Sequence, residues 1–193
     1  MSIDFYNNNA ETFFDSTKAI DMSVLYDEFL PHLKANANIL DAGCGSARDS
    51  LYFKKQGFNV TAFDASASLV KLAEKLLNQK VELATFESFA NEQKFDGIWA
   101  CASLLHVPKQ ELNSILNKLS GLLNVGGIFY CSFKYGDKMV ERGGRTFTNL
   151  NESLLREKIE NTALRITKTW VTADQRPDRA DEKWLNAILI KHA

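Results

Sequence analysis

The sequence has little net charge of either sign. Its 23 Lys and Arg residues nearly match its 24 Asp and Glu residues, so the formal net charge is −1. Non-specific binding to nucleic acid requires several neutralised phosphates and usually shows as an excess of Lys and Arg. We therefore expect no nucleic-acid partner, although a local basic patch is compatible with this composition.

Cysteine is scarce as well. The chain has three cysteines, Cys44, Cys101 and Cys131, and none of them forms a Cys-x-x-Cys pair. An odd number of cysteines without that spacing argues against a disulfide framework and against a zinc site. We expect no bound metal, and a reducing cytoplasm is the natural compartment for such a chain.

Long apolar runs are missing too. No run approaches the roughly 18 residues that a membrane-spanning helix needs, and the first residues lack the basic and apolar segments of a signal peptide. There is also no repeat, linker or low-complexity tract. A chain of 193 residues is long enough for one substantial domain. We expect a single domain over residues 1–193, with an N-terminal helical cap over 1–35 and a core over 36–193.

Apolar strands alternate with amphipathic helices along most of the chain. This alternation predicts an α/β fold with a doubly wound, mostly parallel sheet and right-handed crossovers. The last two strands have no helix between them, so we expect them to form an antiparallel pair. The predicted strands cover residues 38–42, 58–63, 81–84, 95–101, 128–133, 164–172 and 184–190.

Helix signals occur before and between these strands. Ser66 can cap one helix, and Pro108 is well placed in the first turn of another. Gly126 and Gly127 are expected to end that second helix, and the polar residues 134–149 predict an insertion loop. The predicted helices cover residues 4–17, 21–33, 48–56, 66–77, 108–125 and 152–160.

A glycine-rich turn follows the first predicted strand. Asp41, Gly43, Cys44 and Gly45 form an Asp-x-Gly-Cys-Gly sequence, and Asp64 ends the next strand. An apolar strand that leads into a glycine turn and a helix, followed by a strand that ends in an acid, builds a nucleotide-sized site at the mouth of a parallel sheet.

The residues around this turn indicate which nucleotide fits. A dinucleotide loop needs a third glycine, and Arg48 occupies that position here. Asp41 places a negative charge beside the loop, where it would repel a pyrophosphate. A ligand with an adenosine end and a cationic end fits better, because Asp64 can accept hydrogen bonds from ribose hydroxyls and Asp41 tolerates an ammonium and a sulfonium. S-adenosylmethionine has both ends.

The turn resembles motif I of class I S-adenosylmethionine-dependent methyltransferases of the small-molecule type, and Asp64 resembles the acid that follows it. Residues 95–108, FDGIWACASLLHVP, resemble their fourth-strand segment, and residues 126–127 resemble the glycine pair that opens their fifth strand. The resemblance covers about residues 36–134, and Ala47 departs from it because many members have glycine there. It implies a Rossmann-like seven-stranded sheet, S-adenosylmethionine as cofactor and S-adenosylhomocysteine as product.

The cofactor contacts can be assigned from these motifs. Asp64 is expected to bind the ribose, and Asp41 the methionine end, directly or through water. Phe86 could stack on adenine or belong to the core, and Tyr6 and Thr17 could form a lid or pack in the core. The expected cofactor-binding residues are Asp41, Gly43, Cys44, Gly45, Arg48, Asp64, Ala65, Phe86, Glu87, Cys101, Ala102, Tyr6 and Thr17.

Two reactive side chains follow the fourth predicted strand, where the sulfonium is expected. Cys101 could be a nucleophile, but no Pro-Cys pair supports this and a buried apolar cysteine is the better interpretation. His106 is the candidate catalytic residue, as a general base or as a group that orients the substrate. The alternative is that His106 is an exposed residue just before a proline.

Five basic side chains follow the fifth and sixth predicted strands: Lys134, Arg142, Arg145, Arg176 and Arg179. Both loops are expected at the cofactor end of the sheet, since parallel sheets bind ligands at the carboxyl ends of their strands. The four arginines are candidates for binding an anionic acceptor. Alternatively, local ion pairs neutralise all five, with Glu141, Asp174, Asp178, Asp181 and Glu182 as partners.

The function expected from the sequence is methyl transfer from S-adenosylmethionine to a small molecule, one that can carry an anionic group. The sulfonium is already activated, so the protein needs mainly to align the reactants and exclude water. Two alternatives stay open. One is methylation of RNA or protein, for which a chain of 193 residues has little room for a recognition surface. The other is a non-catalytic cofactor-binding module that acts through a partner.

Overall fold

The computed structural model describes residues 2–176 and 179–193. Within these ranges no helix is both long and apolar enough to cross a membrane. The helices are α1 (Ser2–Asn8), α2 (Ala10–Thr17), α3 (Ser23–Phe29), α4 (Arg48–Lys55), α5 (Ala67–Leu77), α6 (Leu112–Leu122) and α7 (Glu152–Ile159), with short 3₁₀ helices at Leu30–His32 and Leu104–His106. The strands are β1 (Asn38–Ala42), β2 (Asn59–Asp64), β3 (Glu82–Leu83), β4 (Phe95–Ala100), β5 (Leu123–Lys134), β6 (Met139–Arg142), β7 (Arg145–Thr148), β8 (Leu164–Ala173) and β9 (Lys183–Lys191).

Seven of these strands form one sheet in the order β3-β2-β1-β4-β5-β9-β8. The pairs from β3 to β5 are parallel, and β9 pairs antiparallel with both β5 and β8. The chain reverses its winding direction beside β1, because the path runs outward to β3 and then returns to β4. The predicted doubly wound, seven-stranded sheet with a C-terminal antiparallel pair is therefore confirmed.

Helices cover both faces of this sheet. On one face α6 and α7 pack on a large apolar cluster that includes Ile98 and Phe129. On the other face Phe29 of α3 and Phe53 of α4 pack against Trp99 of β4. Burial on both faces explains why the central strands read as continuous apolar runs. The rigid sheet in turn fixes the loops that leave its carboxyl edge.

The predicted loop over residues 134–149 is wrong in part, since it contains the antiparallel hairpin of β6 and β7. We call residues 139–148 the flap. Gly143 and Gly144 form its turn with φ values of 58° and 71°, a conformation that glycine adopts without strain. All four residues of β6 are exposed, so the strand lacks the apolar alternation from which a strand can be predicted.

Three helix predictions need correction. The segment predicted as one helix over residues 4–17 is two helices that meet at Asn9. The helix α6 begins at Leu112 rather than near Pro108, which lies in the preceding turn. It ends before Gly126 and Gly127, which lie inside β5. By contrast, Ser66 caps α5 as predicted, because its hydroxyl accepts a hydrogen bond from the Leu69 N–H.

Candidate active site

A cavity of about 650 Å³ lies at the carboxyl ends of β1, β2, β4 and β5. The helices α1 and α2 and the flap contribute to its wall. Every site residue expected from the sequence lines this cavity except Asp41. The fold thus brings together side chains that are far apart in the chain, at the position where parallel sheets bind ligands.

The glycine turn forms the floor of the cavity in a conformation that requires glycine. Gly43 has a φ of 77°, and a Cβ atom added there would lie 2.7 Å from Cβ of Ser103. The Gly43 and Cys44 N–H groups both donate to the Phe63 carbonyl oxygen at the end of β2. Ala47 also has a positive φ, 57°, which explains why a glycine is favoured at this position of the motif.

Asp64 is held in place by backbone donors on both sides. Its two carboxylate oxygens accept hydrogen bonds of 2.8 Å from the N–H groups of Gly45 and Ser66. Burial raises the pKa of Asp64, and the hydrogen bonds from Ser66, Gly45 and Ala65 oppose that shift. A carboxylate oxygen can accept more than one hydrogen bond, so Asp64 can still accept from a diol in the cavity. This donor and acceptor set fits the ribose of an adenosine ligand.

Asp41 faces away from the cavity. Its buried carboxylate accepts hydrogen bonds from the N–H and hydroxyl of Ser50, at the start of α4. Burial, followed by the nearby charge of Asp49, raises the pKa of Asp41 to about 8. Asp41 does not line the cavity, so its orientation does not support a direct contact with a ligand, and the expected contact through water stays a prediction.

Asp49 is the centre of a buried polar network beside the turn. Arg48 donates to both of its oxygens, at 2.7 and 3.0 Å, and Tyr26 and Trp99 donate from the other side. Burial acts to raise the pKa of Asp49, but the Arg48 charge and the hydrogen bonds outweigh it and the pKa is lowered. Asp49 is thus paired with Arg48 and holds α4 against α3 and β4.

Aromatic and acidic side chains line the wall after β2 and β3. Phe86 packs edge-on against Phe63, with 5.5 Å between ring centroids, and is only partly buried. Ala65 and the exposed Glu87 complete this wall. Phe86 thus contributes both to the core and to the cavity, and its open face can contact a planar ring.

Cys101 and Ala102 follow β4 at the centre of the cavity. Burial raises the pKa of Cys101 to about 12, and Ser132 donates to its sulfur at 3.9 Å. Cys101 is therefore a thiol at neutral pH, as expected for an apolar cysteine rather than a nucleophile. Ala102 has a φ of 51°, and its N–H donates to the Ser132 hydroxyl at 2.8 Å. Ser132 was not foreseen, since nothing in its local sequence distinguishes it from other strand residues.

His106 joins the N-terminal helices to the flap. Its Nδ1 lies 3.0 Å from the Thr146 carbonyl oxygen, so this nitrogen carries the proton and donates. Its Nε2 therefore accepts from the Tyr6 hydroxyl at 2.8 Å. Burial lowers the pKa of His106 to about 4, and the imidazole is neutral at pH 7. Both ring nitrogens are occupied, so the alternative of an exposed residue before a proline is wrong.

Thr17 lines the cavity from the end of α2. It is buried, and its hydroxyl donates to the Phe13 carbonyl oxygen at 2.7 Å. Phe13 itself lies against the glycine turn, since a Cβ atom on Gly45 would be 3.3 Å from its ring. The segment α1–α2 is thus both packed and part of the cavity wall, so the lid and core interpretations of Tyr6 and Thr17 are compatible.

The basic side chains of β5, the flap and the segment after β8 differ in their partners. Lys134 and Arg142 both form ion pairs with Glu182, and Arg176 donates to both oxygens of Asp174. The charge of Arg179 acts on Glu182 and helps to lower its pKa, against the effect of burial. Of the expected acidic partners, Asp178 lies outside the described residues.

Arg145 differs from these four because it is surrounded by aromatic rings. Its guanidinium carbon lies 4.1 Å from the Phe5 ring centroid and 5.2 Å from that of Phe147. Its Nε is buried and has no hydrogen-bond partner among the described residues. In the part of the chain that the structure describes, no cluster of His, Cys, Asp and Glu is arranged to hold a metal ion.

Comparisons with known proteins agree with this geometry. Residues 39–127 match a family model described as a methyltransferase domain. A protein of Staphylococcus carnosus named as an uncharacterized methyltransferase is 27% identical over 146 residues, which cover 71% of this chain and 70% of that protein. The ubiquinone biosynthesis O-methyltransferase of Xanthomonas oryzae pv. oryzae is 32% identical over 105 residues, or 51% of this chain. The chain spans only 43% of the length of that relative.

The fold has close relatives among solved structures. The 1,6-didemethyltoxoflavin-N1-methyltransferase of Burkholderia thailandensis, crystallised with 1,6-didemethyltoxoflavin and S-adenosylhomocysteine, is 22% identical and superposes with a TM-score of 0.80. The match covers 100% of this chain and 86% of that one. Together with the family match, the sheet order and the glycine turn define the class. Residues 39–127 belong to the methyltransferase-domain family, the described chain has the fold of S-adenosylmethionine-dependent methyltransferases, and the protein is an enzyme with S-adenosylmethionine as its cofactor.

Proposed function

We propose that this enzyme transfers the methyl group of S-adenosylmethionine to a small molecule bound between α1, the flap and the start of β9. The observation that carries the proposal is the continuity of the cavity. Gly43 and Asp64 line it after β1 and at the end of β2, and Arg145 and Trp184 line it from the flap and from β9. One continuous cavity can therefore hold a cofactor and a second small ligand side by side, and its volume lies within the roughly 300–1,000 Å³ typical of ligand sites.

The cofactor end is formed by the glycine turn and the walls beside it. Asp64 would bind the ribose hydroxyls, Phe86 and Glu87 would border the adenine, and Cys101 and Ala102 would lie beside the sulfonium. S-adenosylmethionine supplies a methyl group on a positively charged sulfur that leaves readily. The task of these residues is to orient the ligand and to exclude water, which requires no triad and no metal.

The acceptor end is covered by α1 and the flap. The Tyr6 hydroxyl of α1 forms a hydrogen bond with His106, and Arg145 of the flap packs on the Phe5 ring of α1. A covered site supports a small acceptor, because a nucleic-acid or protein substrate needs an open surface next to the reacting group. The Burkholderia and Xanthomonas relatives, whose names refer to 1,6-didemethyltoxoflavin and to ubiquinone biosynthesis, support the same substrate class.

We retain His106 as a residue that positions Tyr6 rather than as a general base. Its Nδ1 donates to Thr146, its Nε2 accepts from Tyr6, and its pKa of about 4 makes it a weak proton acceptor. An acceptor that is soft or already ionised needs no base. A basic rim lines the same cavity and supports an acceptor with an anionic group; it consists of Arg142, Arg145, Arg176 and Arg179. The three free cysteines are compatible with our placement of the enzyme in the reducing cytoplasm.

The decisive experiment follows a labelled methyl group. The purified enzyme is incubated with methyl-labelled S-adenosylmethionine and, separately, with metabolite, RNA and protein fractions of a cell extract. We expect label in the metabolite fraction only, and its loss in Asp64→Ala. Label transferred to RNA or protein would overturn the small-molecule assignment. Binding of S-adenosylmethionine with no transfer to any fraction would favour a non-catalytic module.

A further inference from the structure

We propose that Arg145 is the residue that determines acceptor specificity, by binding an ionised oxygen of the acceptor. The inference rests on the proposed function and goes beyond it, because it selects one arginine from the basic rim and assigns a chemical class to the ligand. That class is a small acid with a carboxylate or another oxyanion.

The first argument is the contrast between Arg145 and the other basic residues of the rim. Lys134 and Arg142 form ion pairs with Glu182, and Arg176 donates two hydrogen bonds to Asp174. The two pairs of Glu182 connect β5 and the flap to the segment before β9, and the pair of Arg176 with Asp174 lies within the segment after β8, so all three have a structural role. Arg145 forms no ion pair with a carboxylate among the described residues, in contrast to these three.

The second argument is the chemistry of the groups around Arg145. Phe5, Tyr6 and Phe147 surround the guanidinium, with ring centroids 4.1, 5.9 and 5.2 Å from its carbon. Aromatic faces stabilise a cation, but they do not accept the in-plane hydrogen bonds that a guanidinium fork donates. The Tyr6 hydroxyl accepts from the guanidinium, but the buried Nε of Arg145 remains without an acceptor. A planar oxyanion would satisfy such a fork with two parallel hydrogen bonds.

The third argument is the absence of a competing anion on the neighbouring groups. His106 is neutral, and the Tyr6 hydroxyl is kept protonated because burial raises its pKa, although the Arg145 hydrogen bond and charge oppose this. Neither group provides a negative charge for an ion pair with Arg145. A bound acid would provide one, in a partly desolvated site where opposite charges attract more strongly than in water.

An oxyanion at Arg145 has two possible sources in this cavity, namely the acceptor and the carboxylate of the cofactor. The position of Arg145 favours the acceptor. It begins β7 of the flap, which follows β5, whereas the glycine turn follows β1 and Asp64 ends β2, on the other side of β4 in the sheet. Cofactor affinity distinguishes the two sources, since an Arg145 variant would weaken S-adenosylhomocysteine binding only if the cofactor carboxylate is the ligand.

The test measures binding of matched anionic and neutral aromatic compounds to the enzyme saturated with S-adenosylhomocysteine. Calorimetry compares benzoate with benzamide, and 4-nitrophenolate with nitrobenzene. We expect at least one acid to bind about tenfold more tightly than its neutral partner, the difference that a charge-assisted hydrogen bond typically makes. Arg145→Gln should abolish this preference, and Arg145→Lys, which keeps the charge but not the fork, should retain part of it.

One matched control for charge and one variant of the basic rim separate the effect of Arg145 from that of its surroundings. Lys138→Gln removes a positive charge next to the flap from a side chain that does not line the cavity, and it should keep the full preference. Arg142 is the cross-strand neighbour of Arg145, and its side chain is 67% exposed and paired with Glu182. Arg142→Gln should therefore keep most of the preference for the acid. An equal loss in Arg142→Gln would overturn the assignment, because the effect would then belong to the general field of the flap.

Three further outcomes would also overturn the inference. They are the absence of any preference for an acid in the wild-type enzyme, a preference that survives in Arg145→Gln, and a loss of S-adenosylhomocysteine affinity in Arg145→Gln with its melting temperature unchanged. None of these results touches the proposed function, which fails only if methyl transfer to small molecules is not observed. Unaltered S-adenosylhomocysteine affinity in Arg145→Gln also shows that this variant is folded.

Discussion

The Tyr6 hydroxyl donates a hydrogen bond of 2.8 Å to Nε2 of His106, exactly one hundred residues further along the chain. This bond joins α1 to the segment after β4, and the other nitrogen of His106 donates to Thr146 of the flap. Three elements that cover the cavity are therefore connected through one neutral imidazole. The arrangement requires His106 to be unprotonated at Nε2, since an imidazolium could not accept from Tyr6.

The pKa of His106 tests whether its imidazole is neutral in the folded enzyme. Burial lowers its pKa in the folded state to about 4, below the value of about 6.5 in an unfolded chain. Between these pH values the unfolded state binds more protons, so the free energy of unfolding falls as the pH decreases from 6.5 to 4. We expect nitrogen-resolved NMR to find the imidazole neutral at pH 5.5. Wild-type enzyme should lose more stability than His106→Asn between pH 7 and 4.5. A measured pKa at or above 6.5 would contradict the buried, doubly bonded imidazole.

Asp64 should dominate the affinity for the cofactor. Asp64→Ala removes charge-assisted hydrogen bonds to the ribose, and we expect it to weaken S-adenosylhomocysteine binding by about 1–3 kcal/mol in calorimetry. Glu82→Ala is the matched control, because it removes a carboxylate from β3 that does not line the cavity. Equal affinities in Asp64→Ala and the wild type would remove Asp64 from the site. NAD should not bind to either protein, since Arg48 occupies the third glycine position of a dinucleotide loop.

Gly43 should not tolerate a side chain. Gly43→Ala combines a φ of 77° with a Cβ atom only 2.7 Å from Cβ of Ser103, and we expect a loss of about 1–3 kcal/mol of stability in denaturant unfolding. Gly121→Ala is the opposite case, because Gly121 lies in α6 with no atom within 4 Å of an added Cβ. That variant should gain about 0.5–1 kcal/mol from the higher helix propensity of alanine. Similar stabilities of the two variants would show that the turn adapts freely.

Asp41 should make stability depend on pH in the opposite direction from His106. Burial and the charge of Asp49 raise its pKa to about 8, far above that of an unfolded aspartate. The folded state then binds more protons between about pH 4 and 8, so the free energy of unfolding falls as the pH rises through this window. Asp41→Asn keeps an acceptor for Ser50 and does not titrate. We expect the melting temperature of Asp41→Asn minus that of the wild type to increase between pH 5 and 8.5. A difference that stays constant over this range would refute the raised pKa of Asp41.

The sequence alone was sufficient for the sheet, the glycine turn and the cofactor class. Asp41, Gly43, Gly45 and Asp64 are informative because a strand, a tight turn and a helix follow one another directly, and their geometry depends on local residue types. The antiparallel end of the sheet could also be predicted, since no helix separates the last two strands. These features are local, and burial of the strands on both faces leaves one consistent arrangement.

Only the tertiary structure decided the partners of the site residues. The sequence carries no signal for the hydrogen bond between Tyr6 and His106 or for the ion pairs of Glu182 and Asp174. It also does not indicate that the Asp41 side chain points toward α4. The exposed strand β6 was missed for a related reason, because no apolar alternation marks it. Residue types and spacing determine which groups reach the carboxyl edge of the sheet. Which of them pair there depends on packing between distant parts of the chain.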